Sequence, residues 1–139
     1  MADKKPGFSA EEKAAMKERI REEKAAAAHA DGDAEVRAKI AGMAEPDRQM
    51  AERIHATIRF EFPELTPRTY YGMPAYAKGE KVVCWFKDAG KFKTRYASFE
   101  FSDTAKLDEG EIWPVSYALK KLTDATMVRI VDLVRRALG

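Results

Sequence analysis

YYGMPAYAKGEKVVCWFKDAGKFKTRYASFEFSDTAKLDEGEIWPVSY, residues 70–117, is the stretch whose reading decides the fold. Before it the chain is written mostly in Ala, Glu, Lys and Arg. From Thr69 onward aromatic and β-branched residues take over, punctuated by Gly and Pro, which is the pattern of short antiparallel strands. The spacing predicts strands over Thr69–Tyr71, Met73–Ala77, Lys81–Phe86, Phe92–Phe101 and Val115–Leu119. Lys78-Gly79-Glu80 and Lys87-Asp88-Ala89-Gly90 form the turns between them. Val82-Val83-Cys84-Trp85-Phe86 is apolar throughout and reads as a central strand covered on both faces.

Helices flank this stretch on both sides. Ser9 and Glu12 have the spacing of a capping box, which opens a first helix running to about Ala30. Its large apolar residues are Met16 and Ile20 alone, too few for a wide hydrophobic stripe, so it is expected to be exposed or to dock along a narrow seam. Asp31-Gly32-Asp33 reads as its end and a short link, with Gly32 suited to a left-handed C-terminal position. A second helix is expected over Ala34–Met43, and a third opens at Pro46, where the missing amide costs nothing. Met50, Ile54, Thr57 and Ile58 share one side of that third helix. Pro63 ends it by disfavouring the α conformation at Phe62, and Leu65–Arg68 follows as a loop. Thr123 caps a last helix with Met127, Ile130, Val131, Val134 and Leu138 at helical spacing. Together these elements give an α+β class: an antiparallel sheet of about five strands packed against flanking helices. An N-terminal helical arm over 1–32 precedes an α+β domain over 33–139.

The chain's 139 residues allow one core, and folding buries roughly two-thirds of the unfolded surface at this size. A net charge of +2 is too mild to draw nucleic acid or an anionic membrane by bulk attraction, so only a local patch would do so. Cys84 is the single cysteine, which excludes an internal disulfide and suggests a reducing compartment. The opening MADKKPGFSAEEK lacks the apolar core of a signal peptide, and nowhere do about 18 apolar residues follow one another. The expectation is a cytoplasmic protein with no membrane partner.

Familiar catalytic patterns are lacking: there is no phosphate-binding glycine loop, nucleophile elbow or HExxH, and the reading is non-enzymatic, with no cofactor required. His29 and His55 are far apart, and His55 is expected to flank the core or lie exposed. Cys84 reads as a core thiol. Charge separates within the sheet region. Lys78, Lys81, Lys87, Lys91, Lys93 and Arg95 stand against Glu80 and Asp88, whereas Glu100, Asp103, Asp108, Glu109 and Glu111 stand against Lys106. On a strand, Lys91, Lys93 and Arg95 would share one face, a basic stripe beside Tyr76, Phe92 and Tyr96 suited to phosphate or a stacked base. Glu100, Asp103, Asp108, Glu109 and Glu111 offer hard oxygen donors for iron, magnesium or calcium, although their spacing is not that of an EF-hand. Tyr71, Gly72, Met73 and Pro74, with Trp113 and Pro114, form aromatic-proline clusters that shape a corner of the fold or, with Trp85 and Tyr117, line a small-molecule pocket.

Read in order, Tyr71-Gly72-Met73-Pro74-Ala75-Tyr76, Lys91–Ala97, Phe101-Ser102-Asp103, Leu107-Asp108-Glu109-Gly110 and Trp113-Pro114 resemble the YdhG-like family of bacterial proteins. That family is grouped with the YjbR/CyaY-like, frataxin-like superfamily. The resemblance covers about Pro46 to Leu138. It implies an α+β sandwich with an antiparallel sheet, a role in iron binding or iron delivery, and iron or iron–sulfur assembly proteins as partners. The family's acidic ridge around the first helix does not appear here, where Glu11, Glu12, Glu18, Glu22 and Glu23 mix with five Lys and Arg side chains; the candidate carboxylates for weak iron binding are Glu100, Asp103, Asp108, Glu109 and Glu111.

Overall fold

The computed structural model describes residues 9–139, with the side chains of residues 18 and 21–30 outside the description. The order of elements is α1 (Ala10–Ala41), α2 (Asp47–Glu61), β1 (Thr66–Tyr70), β2 (Met73–Lys78), β3 (Lys81–Lys87), α3 (Ala89–Phe92), β4 (Ala97–Phe101), β5 (Ser116–Leu119) and α4 (Asp124–Leu138). The chain divides into two units, 1–31 and 32–139. In the first, the Glu12 carboxylate accepts from the Ser9 amide and the Ser9 hydroxyl from the Glu12 amide, the expected capping box. His29 lies outside the described side chains.

In the second unit the five strands form an antiparallel meander in the order β1-β2-β3-β4-β5. The α+β class of the sequence reading therefore stands: a five-stranded antiparallel sheet packed against helices. Its inner face carries Tyr76, Cys84, Phe86, Phe99, Phe101 and Leu119. These pack against Val36 and Ile40 of α1, Met50, Ile54 and Ile58 of α2, and Met127, Ile130, Leu133 and Val134 of α4. Thr123 caps α4 by accepting from the Thr126 amide. Among the described residues no helix is long and apolar enough to cross a membrane.

Three expectations are corrected. First, α1 continues through Asp31-Gly32-Asp33 to Ala41, so the helix end near Ala30 and the separate helix over Ala34–Met43 are replaced by one element. Gly32 is buried within it, and a Cβ there would sit 1.9 Å from the Pro67 carbonyl oxygen. The glycine serves close packing of α1 on β1 rather than a left-handed cap. Second, β1 begins at Thr66, inside the expected loop. Pro67 is buried there, a position open to proline because β1 is an edge strand and pairs on one side only.

Third, Phe92–Tyr96 is not strand. Asp88 accepts from the Lys91 amide and caps the helical turn α3, and Lys93 closes it at φ 54°. β3 is central, as its apolar run suggested, with Cys84 and Phe86 on the inner face and Val83 buried as well. Trp85 and Lys87 turn to the opposite side, where they align with Glu100 and Ser98 of β4.

Candidate functional site

Three side chains from three elements meet where α1, α2 and β2 converge. Asp33 lies on α1, His55 on α2 and Tyr76 on β2. His55 Nδ1 is 2.8 Å from the Tyr76 hydroxyl, and Nε2 is 2.6 Å from Oδ1 of Asp33. His55 is 6% exposed and Tyr76 1%. The expectation that His55 would flank the core or lie exposed is therefore overturned. Its neighbour Ile54 faces the sheet, and the next position on α2 faces α1, so both are covered.

The protonation pattern follows from the environment. Burial lowers the His55 pKa from its ordinary 6.5, outweighing the hydrogen bond and charge of Asp33, so the ring is neutral. Burial works against the Asp33 carboxylate as well, but the His55 hydrogen bond and the nearby Arg59 and Arg37 hold its pKa below the ordinary 3.8. Burial raises the Tyr76 phenol well above 10. The consistent arrangement has the Tyr76 hydroxyl donating to Nδ1 of His55 and Nε2–H donating to an ionised Asp33.

Two guanidiniums frame that carboxylate. Nε of Arg37 is 3.3 Å from Oδ2 of Asp33, and Nε of Arg59 is 3.7 Å from Oδ1. Asp33 and Arg37 are one helical turn apart on α1, as His55 and Arg59 are on α2, so two i,i+4 pairs face each other. They line a groove of about 430 Å³ together with Glu52 and Ala56. Nη1 of Arg59 is buried there without a hydrogen-bond partner. Both ring nitrogens of His55 are engaged and the Tyr76 hydroxyl is covered. The triad therefore orients Asp33, and through it Arg59, without presenting a proton to the groove.

The residues singled out from sequence fall elsewhere. Lys91 sits in α3, Lys93 is its left-handed cap and Arg95 lies in the loop to β4, so the single basic strand face does not form. Tyr76, expected beside those cations, is in the core. The carboxylates are dispersed: Asp103, Asp108, Glu109 and Glu111 are exposed in the β4–β5 loop. Glu100 instead accepts from Trp85 Nε1 at 2.9 Å and from the hydroxyls of Ser98 and Ser116 at 3.0 Å each. Among the described residues no three His, Cys, Asp or Glu side chains come together as a metal-holding group.

The aromatic-proline clusters divide between two places. Tyr71 and Gly72 make the β1–β2 turn, Met73 and Pro74 are buried at the start of β2, and Trp85 lies on the outer sheet face. Trp113 and Pro114 line a cavity of about 170 Å³ with Tyr117, Arg129 and Arg136, and Trp113 packs against the core. Cys84 is the buried thiol expected, with burial raising its pKa.

Sequence reasoning missed the Asp33–His55–Tyr76 site because its members are 22 and 21 residues apart and no local spacing links them. The available signal was the repeated pairing of Asp33 with Arg37 and of His55 with Arg59 at helical spacing. Comparison of the chain with protein-family models, curated proteins and solved structures gives no match in any of the three.

Proposed function

We propose that this chain is a binding protein without chemistry of its own at the α1–α2 groove, holding there the carboxylate or phosphate group of a small anionic ligand. The observation that carries this reading is Arg59: its Nε faces Asp33, while Nη1 is buried in the groove wall with no acceptor. A buried guanidinium N–H left unmatched costs more than an ordinary lost hydrogen bond, and an oxyanion supplies the acceptor. Around Asp33 two guanidiniums face one carboxylate, so donors remain for the ligand on that side of the groove, although Glu52 brings the charge of the lining into balance. Exposed Glu52 at the rim offers an acceptor for a hydroxyl or amine elsewhere on the same molecule.

Titration of the 15N-labelled chain with inorganic phosphate, citrate and acetate tests this. Amides of residues 33–37 and 52–59 are expected to shift, and Arg59→Gln to weaken the affinity about tenfold, the loss of one charge-assisted contact. If none of the three anions moves these amides at millimolar concentration, the reading fails.

The iron-handling role implied by the YdhG-like, frataxin-like resemblance has less support. Its candidate carboxylates are dispersed, and both oxygens of Glu100 already accept hydrogen bonds. An Fe(II) titration of the same sample separates the two readings. Iron handling requires Fe(II)-dependent shifts at Asp103, Asp108, Glu109 and Glu111, whereas on the anion-binding reading Fe(II) leaves these residues unmoved and only the anions shift the amides around Asp33 and Arg59.

A further inference from the structure

A second surface lies on the sheet face turned away from the helices, where the antiparallel register aligns Arg68, Ala75, Trp85, Glu100 and Ser116. At the end where β1 turns into β2, three rings stand in sequence. Tyr71 packs edge-on to Tyr70 at 4.6 Å between centroids, and Tyr70 lies 5.0 Å from Trp85. Tyr71 is 77% exposed, an unusual cost for a large ring, and its backbone is held at φ 50°. Lys91 Nζ contributes to holding it there by donating to the Tyr71 carbonyl at 3.2 Å. That approach depends on Gly72, where a Cβ would lie 2.1 Å from Nζ.

Basic side chains are carried by the neighbouring end of β3, by α3 and by the loop after it. Nζ of Lys87 and of Lys91 each lie 5.3 Å from the Phe92 ring centre, Arg95 stacks over Tyr96 at 4.8 Å, and exposed Arg68 occupies the adjacent edge strand. Asp88, the nearest carboxylate in sequence, is buried as the cap of α3, where it accepts from the Lys91 amide. Glu100 is the acidic group of this face. It is held beyond Trp85 by three donors and bounds the basic area on the β4 side.

We propose that this end of the sheet binds single-stranded nucleic acid. A base stacks on the exposed face of Tyr71, and Lys87, Lys91 and Arg68 take the flanking phosphates. An aromatic platform edged by cations on an open antiparallel sheet is the arrangement such strands require, because every base has a stacking face and every linkage a negative charge. The carboxylate of Glu100 directs the strand along the β1–β3 end and away from β4 and β5. This surface lies on the other side of the sheet from the α1–α2 groove, so the two readings stand or fall separately.

The test is fluorescence anisotropy of the full chain with labelled oligo-dT and oligo-U of about a dozen nucleotides, at low and at physiological salt, beside a duplex of equal length. Binding is expected for the single strands, weakening steeply with salt. Tyr71→Ala is expected to weaken it about tenfold, one lost stacking contact. Lys91→Ala, with Lys87→Ala as a second variant should the turn loosen, is expected to flatten the salt dependence by close to one phosphate contact. Arg59→Gln is expected to leave strand binding unchanged. No binding at low salt, equal affinity for the duplex, or affinity indifferent to Tyr71→Ala overturns the proposal.

Discussion

Nε2 of His55 lies 2.6 Å from Oδ1 of Asp33, yet the pair is a neutral imidazole facing a carboxylate rather than an ion pair. The sign of its pH dependence follows. The unfolded imidazole gains a proton as pH falls through 6.5, while the folded one, its pKa lowered, does not. The unfolded state then binds more protons, and stability drops as pH falls. Asp33, with a depressed folded pKa, adds a loss of the same sign below about pH 5. Urea midpoints measured from pH 8 down to pH 4 are expected to decline in both ranges. In His55→Gln the decline between pH 7 and 5 is expected to flatten, because the titrating imidazole is gone.

Tyr76→Phe removes the hydroxyl that serves Nδ1 of His55 and leaves that nitrogen buried without a partner. The expected cost is about 1–3 kcal/mol, read from urea denaturation, with an unchanged slope. NMR of the ring nitrogens is expected to report a change in the proton distribution between Nδ1 and Nε2. The wild-type assignment, with the proton on Nε2, depends on the Tyr76 hydroxyl acting as donor.

At Gly32 two principles predict opposite signs. Helix propensity favours Gly32→Ala by about 1 kcal/mol. Packing opposes it, because the added methyl would stand 1.9 Å from the Pro67 carbonyl oxygen, a backbone atom held in β1. Something must move, and the net expectation is a destabilisation of about 1–3 kcal/mol, measured by thermal or urea melting. A stabilised Gly32→Ala would mean that α1 does not pack on β1 this closely.

The same residue explains what was legible in the sequence. The five strands and the apolar faces of α2 and α4 were readable because alternation and helical spacing are local. Gly32 was misread as a helix end because its constraint comes from Pro67, 35 residues on, and a glycine demanded by close approach looks like one demanded by a turn. The Phe92–Tyr96 segment misled for a similar reason. Its alternating Lys, aromatic and Thr residues satisfy a strand pattern, while the cap from Asp88 and the left-handed Lys93 turn it into a helical turn instead. Leu133 and Ala137 of α4, both buried, show a wider covered face than the stripe of large residues alone suggested. The triad was illegible because each of its three members belongs to a different element.

Cys84 is expected to be inert towards a disulfide reagent such as DTNB in the native state, since its thiol is fully covered and burial raises its pKa. Labelling across a urea series is expected to follow the global unfolding curve. Raised pKa values at Cys84 and Tyr76 also fix the alkaline limb. The unfolded groups ionise near 9.0 and 10.0 while the folded ones hold their protons, so stability is intact below about pH 9 and is lost as pH rises beyond it. Rapid labelling at neutral pH without denaturant would mean that β3 opens locally.

Asp47, at the first turn of α2 and 6% exposed, accepts from the Gly90 amide at 3.0 Å across 43 residues of sequence. This contact ties α3, and with it Lys91, to the helical layer. Asp47→Ala leaves the Gly90 N–H without that acceptor and is expected to cost about 1–3 kcal/mol. The effect should be concentrated in residues 88–95, because the rest of the core does not depend on the contact. Hydrogen exchange is expected to accelerate at Gly90 and Lys91 while the β2–β3 amides keep their protection. Lys91 also holds the Tyr71 carbonyl, so the same variant is expected to weaken single-strand binding although it touches no residue of the ring platform. Uniform acceleration across the sheet would instead make Asp47 a global stabiliser, and unchanged oligonucleotide affinity would show that α3 keeps its position without it.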